Sequence, residues 1–328
     1  MDHLRHADLV RQFASCSVVV LGDLMMDEYL WGRATRISPE SPVMVVEVDR
    51  ETSVPGGAAN VVNNLLSLGA RVAVAGVVGE DEAGQALVAA LRERGAEVSG
   101  IVVDSGRPTT RKTRIVAHHQ QVMRVDRERA AAIEPALESR VMSSLRRLLD
   151  SADALVVSDY SKGVVTPGVA RYAVDAGRAA GRIVTANPKP RSADSLRGAS
   201  LVQLNEAETE AATGGVPFAS EHDLEARAMD LARRLQVEAL VVTRGARGLS
   251  LYGAAGACRI PARPVEVYDV AGAGDTVISA LTLALACGAD IREAGDLANH
   301  AAACVVRKLG VATVTPQELL DDWDQSGQ

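Results

Sequence analysis

Apolar positions along this chain follow two alternating periods. Short runs rich in Val, Leu and Ala occupy residues 18–21, 71–78, 98–103, 154–158, 183–186, 201–204 and 239–243, with polar residues or glycine at their carboxyl ends. Runs of that length between turn formers predict buried strands. Between them apolar residues recur at helical spacing, as in Val61, Val62, Leu65, Leu66 and Leu68 before Gly69. The same period predicts helices over 83–94, 134–149, 166–180, 206–213, 223–235, 276–287 and 290–308, with Pro167 in a first turn. Strand and helix alternating in this order predict a doubly wound, mostly parallel α/β sheet.

Two segments break the alternation. Between residues 28 and 54 no helix follows the first strand: Trp31, Pro39 and Pro42 interrupt any helical period, and residues 43–48 read as a strand. Residues 107–126 read as a hairpin around His118, His119 and Gln120 that carries Arg107, Arg111, Lys112, Arg114 and Arg124. Both are expected to build a small β-sheet lid inserted into a single domain over 1–328. The basic cluster suits an anionic substrate group, and equally a solvated hairpin face whose charge protects an edge. The His pair has no third ligand at metal spacing, so no zinc site is expected. The polar tail 321–328 is expected to fray.

Composition narrows the function classes. Hydrophobic residues make up 47% of the 328 positions but aromatics only 3%, so the core is expected to be built from Ala, Val and Leu. The 35 Lys and Arg against 42 Asp and Glu leave a net charge of -7, with no basic tail and no aromatics interleaved for base stacking. Nucleic acid is therefore not an expected partner. Cys16, Cys258, Cys287 and Cys304 are scattered without metal or disulfide spacing and read as reduced thiols, most of them in apolar runs. No stretch has the length of a membrane span and no leader is evident, so a soluble, cytoplasmic protein is expected.

The chemistry concentrates where strands are expected to end, the place where open parallel sheets bind ligands. Asp23 and Asp27 follow the first strand. Gly56, Gly57 and Asn60 open the next helix, where missing side chains permit close backbone approach or merely close packing. Further endings carry Asp159-Tyr-Ser-Lys-Gly163, Asn187-Pro-Lys189, Asn205-Glu-Ala-Glu208 and Thr243-Arg-Gly-Ala-Arg-Gly248. Asn205 and Glu208 share the first turn of a helix, which suits either a hydrated hard cation or a cap with a dipole-stabilised acid. The stretch 267–277 reads as a strand approach over 264–268, a turn at Gly272, Ala273 and Gly274, and a helix start at Asp275. Small residues at a helix start admit an anion, and Asp275 is either a first-turn acid or a base beside that anion. Neither a GxxxxGK[ST] loop, a GxGxxG fingerprint nor a GxSxG elbow is present, which argues against P-loop, dinucleotide and hydrolase sites.

Together, Gly56-Gly57 with Asn60, Asn205-x-x-Glu208 and Ala271-Gly-Ala-Gly-Asp275 resemble the ribokinase-like (PfkB) carbohydrate kinases over nearly the whole chain, from residue 22 to about 316. Residues 22–32, 36–43, 55–61 and 158–163 are similar to the branch of that family acting on heptose 7-phosphate. The resemblance implies Asp275 as catalytic base and Gly272, Ala273 and Gly274 as the anion hole. It implies Mg²⁺ and ATP held by Asn205, Glu206, Ala207 and Glu208, with Mg²⁺ met by Asn205 and Glu208 through water. Thr243, Gly245, Gly248, Asn299 and Lys189 would lie along the nucleotide. Asp27, Gly56, Gly57, Asn60, Lys162, Asn187 and the basic residues Arg111, Lys112 and Arg114 would meet a phosphosugar. A monovalent cation near Asp269 and a homodimer through the lid are further implications, although Val270 and Ala271 stand where cation-binding relatives often carry Thr. Some relatives continue into an adenylyltransferase domain, and this chain is expected to be the kinase alone. Another sugar substrate, or a non-catalytic sugar-sensing relative, remain the alternative readings.

Overall fold

The computed structural model describes residues 3–118, 120–254 and 256–326; His119, in the expected hairpin turn, lies outside the described residues. After α1 (His3–Gln12) the chain enters β1 (Ser17–Gly22), then a long hairpin of β2 (Leu24–Ile37) and β3 (Met44–Gly57), then α2 (Ala58–Ser67). Next come β4 (Arg71–Gly79), α3 (Glu82–Glu93), β5 (Glu97–Asp104) and a second hairpin, β6 (Thr110–Ala117) and β7 (Gln120–Arg127). Regular alternation follows through α4 (Pro135–Leu149), β8 (Ala154–Ser158), α5 (Pro167–Ala179), β9 (Ile183–Asn187) and β10 (Leu201–Asn205). The chain then runs through α6 (Glu206–Ala212), α7 (Glu221–Leu235), β11 (Ala239–Thr243), β12 (Leu249–Gly253) and β13 (Gly256–Ile260). It closes with α8 (Ala273–Ala286), α9 (Ile291–Val306) and α10 (Pro316–Ser326).

Nine strands form one sheet in the order β13-β12-β11-β10-β9-β8-β1-β4-β5, parallel from β11 to β5 and antiparallel at β12 and β13. Alternate residues of β1 serve opposite cores: Val18 and Val20 pack with Leu65, Leu281 and Leu297 on one face, Val19 and Leu21 with Leu145, Val174 and Leu231 on the other. Both faces of the sheet are therefore covered, which explains strands that read as apolar runs rather than alternating ones. The second sheet, β3-β2-β6-β7, is the lid. The first hairpin extends past the expected 28–54 at both ends, β2 starting directly after Asp23, and the second runs over 110–127 where 107–126 was expected.

Two expectations need correction, and one hairpin was not predicted. Residues 264–268 form no strand; Pro261 and Pro264 lack donors, and the N–H groups of Tyr268 and Asp269 turn to the Val306 carbonyl at the end of α9. The β12/β13 edge hairpin went unread, its short strands being masked by the Gly-rich connection. The tail does not fray at residues 321–323: Asp322 is 3% exposed and is paired with His300, Arg263 and Arg307, and Trp323 stacks between His6 and His300. Among the described residues no helix is long and apolar enough to cross a membrane.

The strand order reverses between β1 and β8, the position at which a doubly wound sheet opens a crevice. Asp23 sits there but does not face a ligand. It is fully buried, and its carboxylate accepts N–H bonds from Tyr160 (2.8 Å), Lys162 (3.0 Å) and Val164 (2.9 Å). Burial nevertheless pushes its pKa up to about 6, the three donors only partly offsetting the desolvation. Asp23 is thus the anchor of the 159–164 loop. Asp23→Ala is expected to leave three buried donors unpaired and to lower unfolding stability by about 2–4 kcal/mol. Urea denaturation with an unchanged slope and a lower midpoint would record it; an unchanged midpoint would show that the loop does not depend on this carboxylate.

Candidate active site

Gly272, with φ 79°, caps α8 and turns the chain so that Asp275 enters the first helical turn facing inward. A Cβ at Gly272 would stand 2.8 Å from Asn60 Nδ2, so both the backbone conformation and the space require glycine. Asp275 is buried, and its two oxygens are individually held: Oδ2 accepts from Asn60 Nδ2 at 2.7 Å and Oδ1 from the Tyr160 hydroxyl at 2.5 Å. Asn60 is fixed from behind, because Asn64 Nδ2 donates to its carbonyl at 2.9 Å and Thr276 Oγ1 donates to Asn64 at 2.6 Å. Desolvation raises the Asp275 pKa to about 6 against the hydrogen bonds from Tyr160 and Asn60 and the charge of Lys189. The Tyr160 hydroxyl is pushed well above its ordinary range by burial and by the neighbouring carboxylate. It therefore stays a donor. Asp275 is thus a first-turn acid whose carboxyl is held, desolvated, close to its balance point at about pH 6.

The turn at 272–274, expected to act as an anion hole, has part of its backbone N–H groups already engaged. Ala273 N–H is donated to the Val270 carbonyl at 3.2 Å and Asp275 N–H to the Gly272 carbonyl at 3.0 Å, while Gln203 Nε2 holds the Gly274 carbonyl at 3.1 Å. The Gln203 side-chain oxygen Oε1, in contrast, is buried with no hydrogen-bond partner. Asp269 does not hang free beside this turn; its carboxylate takes the N–H of Ala271 at 2.9 Å and of Gly310 at 3.0 Å.

On the lid side, Asp27 is 6% exposed and receives Arg114 at 2.6 Å. A Cβ at Gly56 would stand 2.2 Å from Asp27 Oδ2, and Gly57 has φ 57°; the glycine pair thus makes room for an acid and turns β3 into α2. Successive strand residues point to opposite faces. Register pairs Asp27 with Lys112 and Tyr29 with Arg114 across β2 and β6, so these four share a face, with Arg114 over the Tyr29 ring. Arg111 does not join them. It pairs with Glu28 at 3.4 Å on the opposite face, a direct consequence of the two-residue period. Nor is the basic cluster a bare positive patch: Lys112 meets Asp126 at 3.2 Å, Lys162 meets Glu128 at 2.6 Å and Arg124 meets Asp126 at 2.8 Å.

On the other side, Lys189 lies 2.6 Å from Glu208 and 5.3 Å from the Tyr160 ring centre, joining the surroundings of Asp275 to the end of β10. Asn205 and Glu208 form a reciprocal cap: Glu208 N–H to Asn205 Oδ1 at 2.7 Å and Asn205 N–H to Glu208 Oε2 at 3.0 Å. Among the described residues no group of three His, Cys, Asp or Glu could cage a metal. One carboxylate and one amide at an exposed helix start do fit a Mg²⁺ that keeps its waters and takes its other oxygens from phosphates. Glu206 turns away from this pair to Arg244 at 3.1 Å and Arg247 at 2.6 Å, and Ala207 is exposed. Asn187, half-buried, donates to the Gln203 carbonyl at 3.2 Å. Thr243 and Gly245 lie at the end of β11. A Cβ on Gly248, φ 84°, would stand 2.4 Å from Ala262 N, beside the Pro261 carbonyl that Asn299 Nδ2 holds at 2.9 Å. Gly248 and Asn299 thus line one wall together. Tyr160, which holds Asp275 Oδ1, stands outside the candidate residues of the sequence motifs; its signal there is an aromatic hydroxyl inside a strand-end Asp-Tyr-Ser-Lys-Gly loop.

This sheet, lid and buried acid at a glycine-turned helix start define a sugar kinase of ribokinase type. Residues 16–318 match the pfkB family carbohydrate kinases, and the chain belongs to that family. It is 47% identical over 307 residues to the bifunctional protein HldE of Citrifermentans bemidjiense, which covers 93% of this chain and 63% of that protein. It is 42% identical over 325 residues to the bifunctional protein HldE of Pelobacter propionicus, covering 98% and 66%. The chain therefore spans slightly less than two thirds of these relatives. Among solved structures it is similar to phosphofructokinase-2 from Escherichia coli in complex with potassium, with TM-score 0.81, 16% identity and coverage of 95% of this chain and 99% of that one. The ribokinase of Arabidopsis thaliana complexed with ribose and ATP gives TM-score 0.76, 18% identity and coverage of 94% and 98%. At these identities the likeness is one of fold.

The raised pKa of Asp275 has a signed consequence for stability. A carboxyl whose pKa rises on folding, here from 3.8 to about 6, contributes stability below the unfolded value and loses it as pH climbs through the folded one. At pH 8 the buried charge is therefore a cost, by this shift at most about 3 kcal/mol. In Asp275→Asn the amide oxygen can accept from Asn60 while its NH2 donates to the Tyr160 oxygen, which costs the Tyr160 proton its acceptor but removes the buried charge. The variant is expected to raise Tm at pH 8 and to raise it less at pH 5; a fall in Tm at pH 8 would refute the desolvation account.

Proposed function

We propose that this chain transfers the γ-phosphoryl group of ATP to O1 of D-glycero-β-D-manno-heptose 7-phosphate, forming the 1,7-bisphosphate used in lipopolysaccharide-core synthesis. The observation that carries the reading is the Asp275 carboxylate, desolvated, oriented on both oxygens and poised near pH 6 beside Asp27 and Lys189. A base of that kind takes the proton of the acceptor hydroxyl as the new O–P bond forms. Tyr160 and Asn60 hold the carboxylate in place. Gly272, Ala273 and Gly274 receive the transferring phosphoryl group, whose arrival displaces the weak turn bonds of Ala273 and Asp275. Asn60, Asp27 and Asn187 hold sugar hydroxyls, and the 7-phosphate goes to the lid face of Lys112 and Arg114, with Lys162 beside them.

ATP lies along Thr243, Gly245, Gly248 and Asn299, with Lys189 at its phosphates. When bound, Mg²⁺ supplies charge neutralisation on those phosphates, held by Asn205 and Glu208 through water. The heptose substrate is supported by residues 22–32, 36–43, 55–61 and 158–163 together with the 47% identity to HldE. The reading concerns the kinase step, over one domain. We place a homodimer on the lid, where Met44, Val48, Met123 and Val125 are exposed.

The test is a panel of sugars and sugar phosphates with coupled ADP detection. Turnover fastest with heptose 7-phosphate is expected; preference for an unphosphorylated sugar would replace the substrate, and no ADP with any sugar would favour a sugar-sensing role. Asp275→Ala should abolish ADP production while leaving ATP binding by calorimetry nearly unchanged, and near-wild-type turnover would remove it as the base.

The lid register makes a second prediction. Arg114→Ala is expected to raise KM for the phosphosugar by about tenfold or more, the order expected for a lost charge-assisted contact, with little change in KM for ATP. Arg111→Ala, on the other face, should stay within about twofold for both, in the range of exposed ion pairs. Equal effects of the two variants would mean that the lid faces do not divide in this way.

A further inference from the structure

Two of the four cysteines, 271 residues apart in sequence, meet in the fold. Cys16 closes the short turn after α1 and leads into β1; it is 5% exposed. Cys287 caps the carboxyl end of α8 and is half-buried. Their sulfurs are 3.0 Å apart, inside the contact distance of two sulfur atoms, and no disulfide joins them. The other two thiols have different surroundings. Cys304 is buried beside the Glu318 carbonyl with its pKa pushed up to about 12 by burial, and Cys258 sits on the far edge strand β13.

The thiol hydrogen bond within the pair lowers the Cys16 pKa and raises that of Cys287, so Cys16 is the one of the two that loses its proton the more readily. Around them the chain is already clamped. Arg5 of α1 donates to the Gly288 carbonyl at 3.0 Å and pairs with Glu293 of α9 at 3.3 Å. Closing the sulfurs from 3.0 Å to a bond of about 2.05 Å requires them to approach by about 1 Å.

We propose that Cys16 and Cys287 form a reversible dithiol–disulfide site that takes hydrogen peroxide as oxidant and fastens the carboxyl end of α8 to the start of β1. In the step, two S–H bonds break and one S–S bond forms. Two electrons and two protons pass to the peroxide, whose O–O bond breaks to leave two waters. A dithiol reductant reverses it. The fastened helix is the one whose first turn carries Asp275, 14 residues and about 21 Å in length. A link across so long a loop also restricts the unfolded chain, so the oxidised protein is the more heat-stable form.

The experiment treats the whole protein with dilute hydrogen peroxide, alkylates remaining thiols, and maps unreduced tryptic peptides by mass spectrometry. The expected result is loss of two of the four thiols, a Cys16–Cys287 peptide pair within one chain, a Tm higher by several degrees, and reversal of all three by dithiothreitol. Cys287→Ser, at the half-exposed position, should keep three alkylatable thiols after peroxide and show no rise in Tm. Four thiols surviving peroxide in the wild type, a link through Cys258 or Cys304, a link between chains, oxidation of Cys287 to sulfinic acid, or a Cys16–Cys287 link without a Tm rise would each overturn the proposal.

Discussion

A carboxylate deprived of water governs this structure. Asp275 would gain most by staying protonated, and the neighbouring groups are arranged to hold it close to the balance point. Tyr160 and Asn60 each give one hydrogen bond to the charged form, which recovers part but not all of the desolvation cost. Those donors are in turn fixed: Asn60 by Asn64 and Thr276, Tyr160 by a loop whose N–H groups converge on the buried Asp23. The same loop is held at its other side by Asp159, which accepts from Ser161 at 2.6 Å and Lys189 at 3.2 Å. Several strand endings are thus tied together by acids whose oxygens are occupied by loop backbone, and these position the donors around Asp275.

This division of labour explains where polar residues sit. In a sheet covered on both faces, strand interiors admit few unpaired polar groups, and the chain's acids concentrate beyond the carboxyl ends. Some of them, such as Asp23, satisfy loop backbone; others, such as Asp27 and Asp275, are held by side chains, Arg114 on the first and Asn60 and Tyr160 on the second. The sequence pattern distinguishes the location but not the task, because both kinds occupy the same position relative to a strand.

The alternation of strand and helix was legible because burial on both faces leaves long apolar runs; residues 154–158 and 239–243 needed no adjustment at either end. The lid was legible as an interruption, but not its register. Arg111 and Arg114 look equivalent in a run of basic residues, and only pairing with β2 separates them onto opposite faces. Residues 264–268 have a strand's composition yet pair with the end of a helix, since the sheet edge is already taken by β12 and β13. Tyr160 and the Cys16–Cys287 contact depend on segments far apart in the chain, where no local pattern reaches. Asn205 and Glu208 illustrate the converse. Their capping-box spacing is as readable as any motif, and the geometry satisfies the cap without deciding what else the pair binds.

The charge pairing of the lid bears on how an anionic substrate would be received. Arg114 is already bonded to Asp27, Lys112 to Asp126 and Lys162 to Glu128, all of them partly or wholly shielded from water. A phosphate entering there exchanges one anionic partner for another rather than neutralising a bare positive surface, so its net gain is the difference between two charge-assisted contacts. That difference favours a dianion over a carboxylate, and it leaves Asp27 without its cation when the exchange occurs. An Asp27 released from Arg114 is a stronger acceptor for a sugar hydroxyl. On the proposed reading, binding of the phosphate on the lid and orientation of the sugar beneath it are therefore linked through a single ion pair, at the point where Gly56 keeps the space free of a side chain.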